Sequence, residues 1–313
     1  MTDEAMLRKR CEVARAGGDR RAEVESLLEL GHVACEKKDC TASRAYYEEA
    51  LAAAQAGGDA LSEANGWFGL GQMYRASGQL KMARKPFEKA LAIYRALGER
   101  AGELQSLVES AHALAFGFSD YKAAQARYEE ALALYRIQGD RPGEVKVLEY
   151  LGSMYQALSH AISIPSGYEF KDKSLGGLPE LYAAADSALA RYREAMLVCR
   201  TLGDRQGEAR MLNMQGDVHA YLIGPCMDVI LRESIPTFWQ AIWNRLRGVD
   251  PFGEAKAAHG VADEGAAALA LYKEALAIYQ ELGDQKRAGW MLEEIKEVQS
   301  LMGRRGGPLK RKT

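Results

Sequence analysis

The 313-residue chain is predicted to be all-α, a right-handed superhelical solenoid of stacked helix hairpins carrying two insertions. Three observations predict this. Apolar residues recur at helical spacing in paired blocks. A Gly followed by Asp or Glu punctuates the chain at Gly18, Gly58, Gly98, Gly139, Gly203 and Gly283, with gaps of 40, 40, 41, 64 and 80 residues. The composition, 48% hydrophobic but only 8% aromatic, suits packed helices better than a sheet. At each punctuation point glycine can take the left-handed conformation that ends a helix. The next residue, as in Asp59, Glu99, Asp140, Asp204 and Asp284, is placed to cap the helix that follows.

Residues 3–16 carry the phase of a second hairpin helix without its partner and are expected to form an N-terminal capping helix. The first full unit, about 20–58, places Leu27, Leu30, Gly31 and Ala34 on its first helix (helix A), and Ser43, Tyr47 and Ala50 on its second (helix B). The second unit, 59–98, is the clearest, with helix A at about 62–76, a break at Ser77-Gly78 and helix B at about 80–97. The third, 99–139, keeps size rather than identity on helix A, at Leu107, Ser110, Ala111 and Leu114. One extra residue falls in its turn, Phe116-Gly117-Phe118-Ser119. In the fourth, 140–203, helix A is plain at Leu148, Leu151, Gly152 and Tyr155. Its helix B, with Ala188, Tyr192 and Ala195, arrives late, so a Pro- and Gly-bearing loop insertion is placed at 159–181. The fifth, 204–283, has Leu212, Gly216 and His219 on helix A and Ala268, Tyr272 and Ala275 on helix B, separated by an insertion at 223–263. That stretch reads either as an insertion or as a decayed sixth unit. Too few residues separate Gly253 from the next helix B to hold a full helix A, which favours insertion. Residues 285–302, with Trp290, Leu292 and Ile295 in phase and Lys296 at the small-residue position, are expected to cap the stack. Residues 303–313, rich in Gly and basic side chains, read as a disordered tail.

Trp67-x-x-Leu70-Gly71-x-x-Tyr74 followed by Ala83-x-x-x-Phe87-x-x-Ala90 resembles the tetratricopeptide repeat, lacking only its final Pro. The small residues are expected where two helix backbones come close. The resemblance covers about 20–302 outside the two insertions. Its forty-residue spacing resembles the subclass in spindle-orienting adaptors, kinesin light chains and the sensor arms of bacterial regulators. It implies a groove lined by helices A that binds an extended or helical segment of a partner protein. The inward polar positions match Asn65, Gln72 and Arg75 in the second unit and Gln105 and His112 in the third. In the fourth they match Lys146, Ser153 and Gln156, and in the fifth Arg210, Asn213 and Asp217. In the first unit they hold Glu25, Leu28 and His32. The Lys and Asn that a chaperone-binding carboxylate clamp needs are replaced there by Leu28 and His32.

Other readings follow from composition and spacing. Acidic and basic residues nearly balance, 43 against 41, so no net field points to nucleic acid. No stretch approaches the ~20 apolar residues that span a bilayer. An acidic start without an apolar run argues against a leader, and five cysteines without a Cys-x-x-Cys pair fit a reducing, cytoplasmic setting. The basic tail suggests a nuclear address as an alternative. Five scattered histidines form no metal spacing, Asp217 and His219 point to different sides of a helix, and no phosphate loop is present, so neither catalysis, metal nor cofactor is expected. Within 223–263, Phe238, Trp239, Ile242, Trp243 and Leu246 make an apolar helix face that either packs back on the fold or docks a partner, with a membrane-surface helix a weaker fit. The function expected is a non-catalytic adaptor or scaffold. The alternatives are a peptide-responsive or self-inhibited sensor, and a structural subunit anchored by its insertions.

Overall fold

The computed structural model describes residues 3–163, 178–233 and 253–303, and every regular element among them is helical. The chain divides into two units, Met1–Tyr150 and Leu151–Thr313. In the first, α1 (Asp3–Gly17) packs on α2 (Arg20–Glu36), which pairs with α3 (Cys40–Gly57). The next hairpins are α4 (Ala60–Ala76) with α5 (Leu80–Leu97), and α6 (Arg100–His112) with α7 (Tyr121–Gln138). Helix α8 (Arg141–Ser163) begins in the first unit and ends in the second. The second unit continues with α9 (Leu178–Leu202), α10 (Arg205–Glu233), α11 (Gly253–Glu281) and α12 (Gln285–Gly303). There α10 packs on both α9 and α11, and α11 packs on α12.

At both predicted insertions the flanking helices run on past the expected hairpin ends. Residues 159–163 and 178–181 are helical ends of α8 and α9, and the part between lies outside the described residues. Likewise α10 runs to Glu233 and α11 starts at Gly253, passing unbroken through position 263. The apolar set Phe238, Trp239, Ile242, Trp243 and Leu246 lies outside the described residues, as does the tail beyond Gly303.

The punctuating glycines all have φ between 68° and 72°, the left-handed value that closes a helix C-terminus. Asp19, Asp59, Asp140, Asp204 and Asp284 each accept a hydrogen bond from the backbone N–H three residues on. Glu99, expected to do the same, makes no side-chain cap. Asp39 and Asp120 cap α3 and α7 in the same manner.

The small signature residues of helix A admit a ring rather than a neighbouring backbone. A Cβ at Gly71 would lie 2.5 Å from the Phe87 ring, and one at Gly216 the same distance from Tyr272. Gly152 is filled equally closely by Tyr192. These rings, with Leu27, Ala50, Ala90, Leu107, Tyr128 and Ala131 in the first unit and Leu212, Ala268 and Ala275 in the second, are almost wholly buried. In the third hairpin the extra turn residue is absorbed as a π-helical turn, Ala113–Gly117. In α12 the buried stripe is Ala288, Met291, Ile295 and Val298, whereas Trp290 and Leu292 are exposed.

A second periodic device links the hairpins. Arginine three residues before the punctuating glycine bonds to glutamate five residues after it: Arg15 to Glu23 at 2.7 Å, Arg95 to Glu103 at 3.0 Å, Arg136 to Glu144 at 2.8 Å and Arg200 to Glu208 at 2.6 Å. Arg15, Arg95 and Arg200 also hold a carboxylate of the next helix B, at Glu49, Glu130 and Glu274. The Glu208 side chain is only 5% exposed and that of Glu274 is 51% exposed. Removing Glu208 strips charge-assisted bonds from Arg200 and Arg205 inside a packed joint, so Glu208→Ala is expected to cost about 2 kcal/mol. Glu274→Ala should cost at most about 0.5 kcal/mol, because water screens the exposed pair. Urea-denaturation midpoints of the two variants check the contrast.

Candidate functional site

Two neighbouring features on the first helices of the hairpins in the first unit combine apolar surface with convergent polar groups. One is an open groove of about 440 Å³ lined from α1 to α4. Its floor exists because Gly31 on α2 and Gly69 on α4 leave room for the Tyr47 ring between them. Leu7, Leu28, Val33 and Phe68 add apolar surface, and His32, Asn65 and Gln72 stand on its walls. Asn65 accepts a 2.6 Å hydrogen bond from the Tyr94 hydroxyl, which fixes the amide so that its N–H groups point elsewhere.

The second feature begins one turn further along α4. Arg75 reaches across to Glu109 of α6 at 3.1 Å. Glu109 is a nearly buried carboxylate, and burial holds its pKa above the ordinary range even though Arg75 and Lys146 pull it down. Beside it, burial lowers the His112 imidazole to about 4, with the Arg75 charge acting in the same direction. The His112 ring stacks on Phe116 at 4.7 Å and meets Tyr150 edge-on at 5.8 Å, while Tyr150 lies 6.0 Å from Tyr128. Lys146 holds its ammonium 5.9 Å from the Tyr150 ring.

The predicted inward residues therefore fall into distinct environments. Asn65 and Gln72 share the groove with Leu28 and His32. Arg75, His112 and Lys146 belong to the cluster around Glu109. Gln105 is exposed on α6, and Glu25 is exposed and paired with Arg21. In the second unit, Ser153 and Gln156 take the Tyr192 hydroxyl at 3.3 and 3.1 Å. Asp217 accepts from Tyr272 at 2.7 Å, and burial raises its pKa despite that bond. The Asn213 side-chain carbonyl is buried without a partner. Arg210 is exposed on α10, near enough to Tyr279 to act on its hydroxyl. His219 pairs not with Asp217 but with Glu264 of α11, at 2.5 Å. Glu109 and Glu264 went unmarked in the sequence reading, since their partners lie 34 and 45 residues away along the chain. Among the described residues no group of His, Cys, Asp or Glu could hold a metal ion, and no helix is long and apolar enough to cross a membrane.

The tetratricopeptide-repeat family model matches residues 23–96, the stretch holding α2 to α5. Residues 23–96 are tetratricopeptide repeats. Among solved structures, the chain is similar to BtubC (BKLC) from P. vanneervenii, at 16% identity over 99% of this chain and 94% of that one, with a TM-score of 0.50. It is similar to the aspartyl phosphate phosphatase F of Bacillus subtilis at 12% identity, covering 92% and 73% of the two chains, with a TM-score of 0.52. A signal-transduction ATPase with a tetratricopeptide repeat sensor from Pyrococcus horikoshii aligns at 12% identity over 90% of this chain and 36% of that one, with a TM-score of 0.53. At these identities the likeness is one of fold. No curated protein sequence matches the chain.

Proposed function

We propose that this protein is a non-catalytic interaction module whose helix-A face takes an extended or helical segment of a partner protein. The groove between α1, α2 and α4 carries the reading. It is open, its floor is apolar, and its polar walls are two amides, one imidazole and the Glu29 carboxylate, which Arg10 holds in an ion pair. An apolar anchor of the partner fits over Tyr47 and Phe68, and the amide of Gln72 suits a main-chain peptide. Arg75, at the end of the same helix face, is held by Glu109 at 3.1 Å and offers its remaining N–H groups to a carbonyl of the partner.

Panning a random-peptide library against the full chain tests this. The expected result is enrichment of peptides with an apolar anchor, whose binding, read by fluorescence anisotropy, weakens at least about tenfold in Gln72→Glu with Arg75→Glu, a loss of roughly 1.4 kcal/mol. The far-UV circular dichroism should stay unchanged, because both side chains lie outside the packed core. Peptides that bind the double variant as well as the wild type would remove the groove from consideration.

A further inference from the structure

The cluster around Glu109 contains polar atoms for which the groove has no use, and the repeat itself shows why they stand out. In the fourth and fifth hairpins a helix-B tyrosine passes over the small signature residue, and its hydroxyl meets the residue directly after it. Tyr192 crosses Gly152 to reach Ser153, and Tyr272 crosses Gly216 to reach Asp217. The third hairpin has the same tyrosine, Tyr128, with 0% exposure, and the residue at the matching register is His112. Here the two do not meet. The Tyr128 hydroxyl and His112 Nδ1 are each buried and each without a hydrogen-bond partner.

Leaving such groups unbonded away from water costs free energy, so each instance calls for a cause. The π turn Ala113–Gly117 starts immediately after His112, and the imidazole lies against Phe116 and Tyr150. Single π turns of this kind are frequent at functional sites. Glu109 is close enough to Tyr128 to act on its hydroxyl, and Arg75 and Lys146 both act on Glu109.

We propose that the His112–Tyr128–Glu109 cluster binds a neutral carboxamide, supplied by an asparagine or glutamine side chain or by a main-chain peptide of a bound segment. This deepens the groove reading, on which it rests, by naming a group the partner must present. A carboxamide both donates and accepts, and the cluster offers both complements. The Glu109 carboxylate accepts, Arg75 and Lys146 donate, and the tyrosine hydroxyl does either. His112 is neutral at pH 7, so its two nitrogens divide between the roles. A cationic ligand would face Arg75 and Lys146, and an anionic one would face Glu109. An uncharged group with both functions meets neither repulsion.

The test is nuclear magnetic resonance of the full chain labelled with nitrogen-15 at histidine, titrated with propionamide as the side-chain source and N-methylacetamide as the main-chain source. Butanone, which accepts but cannot donate, is the control. The expected result is a saturable shift of the His112 ring nitrogens with at least one amide and not with butanone, the tighter amide identifying the source. Tyr128→Phe should weaken that response about fivefold, the equivalent of one hydrogen bond, and should leave the unliganded chain as stable as before, since the hydroxyl has no internal partner to lose. Glu109→Gln serves the same purpose if Tyr128→Phe does not fold. No saturable shift, an equal shift with butanone, or an unchanged response in the folded variants would each overturn the proposal and leave buried water as the occupant. Selected peptides that bind without moving His112 would sink this proposal and leave the groove standing. A His112 response in a chain that selects no peptide would do the reverse.

Discussion

Gly71→Leu is expected to destabilise the first unit by about 3 kcal/mol or more, the upper end for overpacking a close-packed interior. The reason is local and geometric. Even the first atom of a side chain at position 71 would sit 2.5 Å from Phe87, well inside contact distance, and the ring is itself fully buried. Phe68 lies tilted against the same ring at 5.6 Å, so the ring cannot swing away without disturbing a second contact. A double-mutant cycle isolates the cause. Gly71→Ala and Phe87→Leu should each lower the urea midpoint, and the double variant should lose less than the sum, because the shorter side chain vacates the space the new methyl needs. Strict additivity would mean that the two residues do not compete for space, and the ring-into-gap account of the hairpin would fail.

Between pH 7.5 and 5 the chain should lose about 2 kcal/mol through His112 alone. The sign follows from the depressed value of about 4 in the folded chain, against about 6.5 for an unfolded histidine. Well above pH 6.5 neither state binds the proton and stability is at its full value. As pH falls from 6.5 towards 4 the unfolded chain takes up a proton that the folded chain refuses. His160, also lowered by burial, acts with the same sign in the second unit. Glu109 and Asp217, whose pKa values burial raises, act with the opposite sign. Burial also pushes Glu144 and Glu208 upward, but their arginine bonds outweigh it and hold both below the ordinary range. Their contribution is therefore lost only under more acid conditions. Comparing wild type with His112→Phe at both pH values isolates the histidine. Equal pH dependence in the two chains would show that His112 is already protonated or solvated in the fold.

The fold was legible because its determinants are short-range. Gly31, Gly71, Gly152 and Gly216, the left-handed glycines and the aspartate caps each act within one hairpin or one corner, so their spacing alone announces them. Where that signal is weak, as at 159–163 and 178–181, the Pro and Gly of the intervening stretch hid helix continuing past the expected ends. The Arg-x-x-Gly-Asp-x-x-x-Glu pattern at Gly18, Gly139 and Gly203, with Glu in place of Asp at Gly98, was visible in the sequence as well. It means nothing until the two helices are seen to meet at the corner. The candidate site was legible only in part. Helical phase predicts which face bears Asn65, Gln72, Arg75 and His112, but it cannot say that Arg75 is held by Glu109, or that Ser153, Gln156 and Asp217 are already bonded to tyrosines. Those contacts are set by which residue arrives from a helix dozens of positions away.

The arginines at the corners have one more consequence. Arg15, Arg95 and Arg200 each hold two carboxylates, one sheltered in the joint and one standing in water, as with Glu103 at 12% and Glu130 at 48% exposure. Dissolved salt weakens the wet member of such a pair and hardly touches the dry one. Rising ionic strength should thus slacken the spacing between successive helices B while the fold-back at each glycine holds firm, which gives each unit an outer seam that yields and an inner hinge that does not.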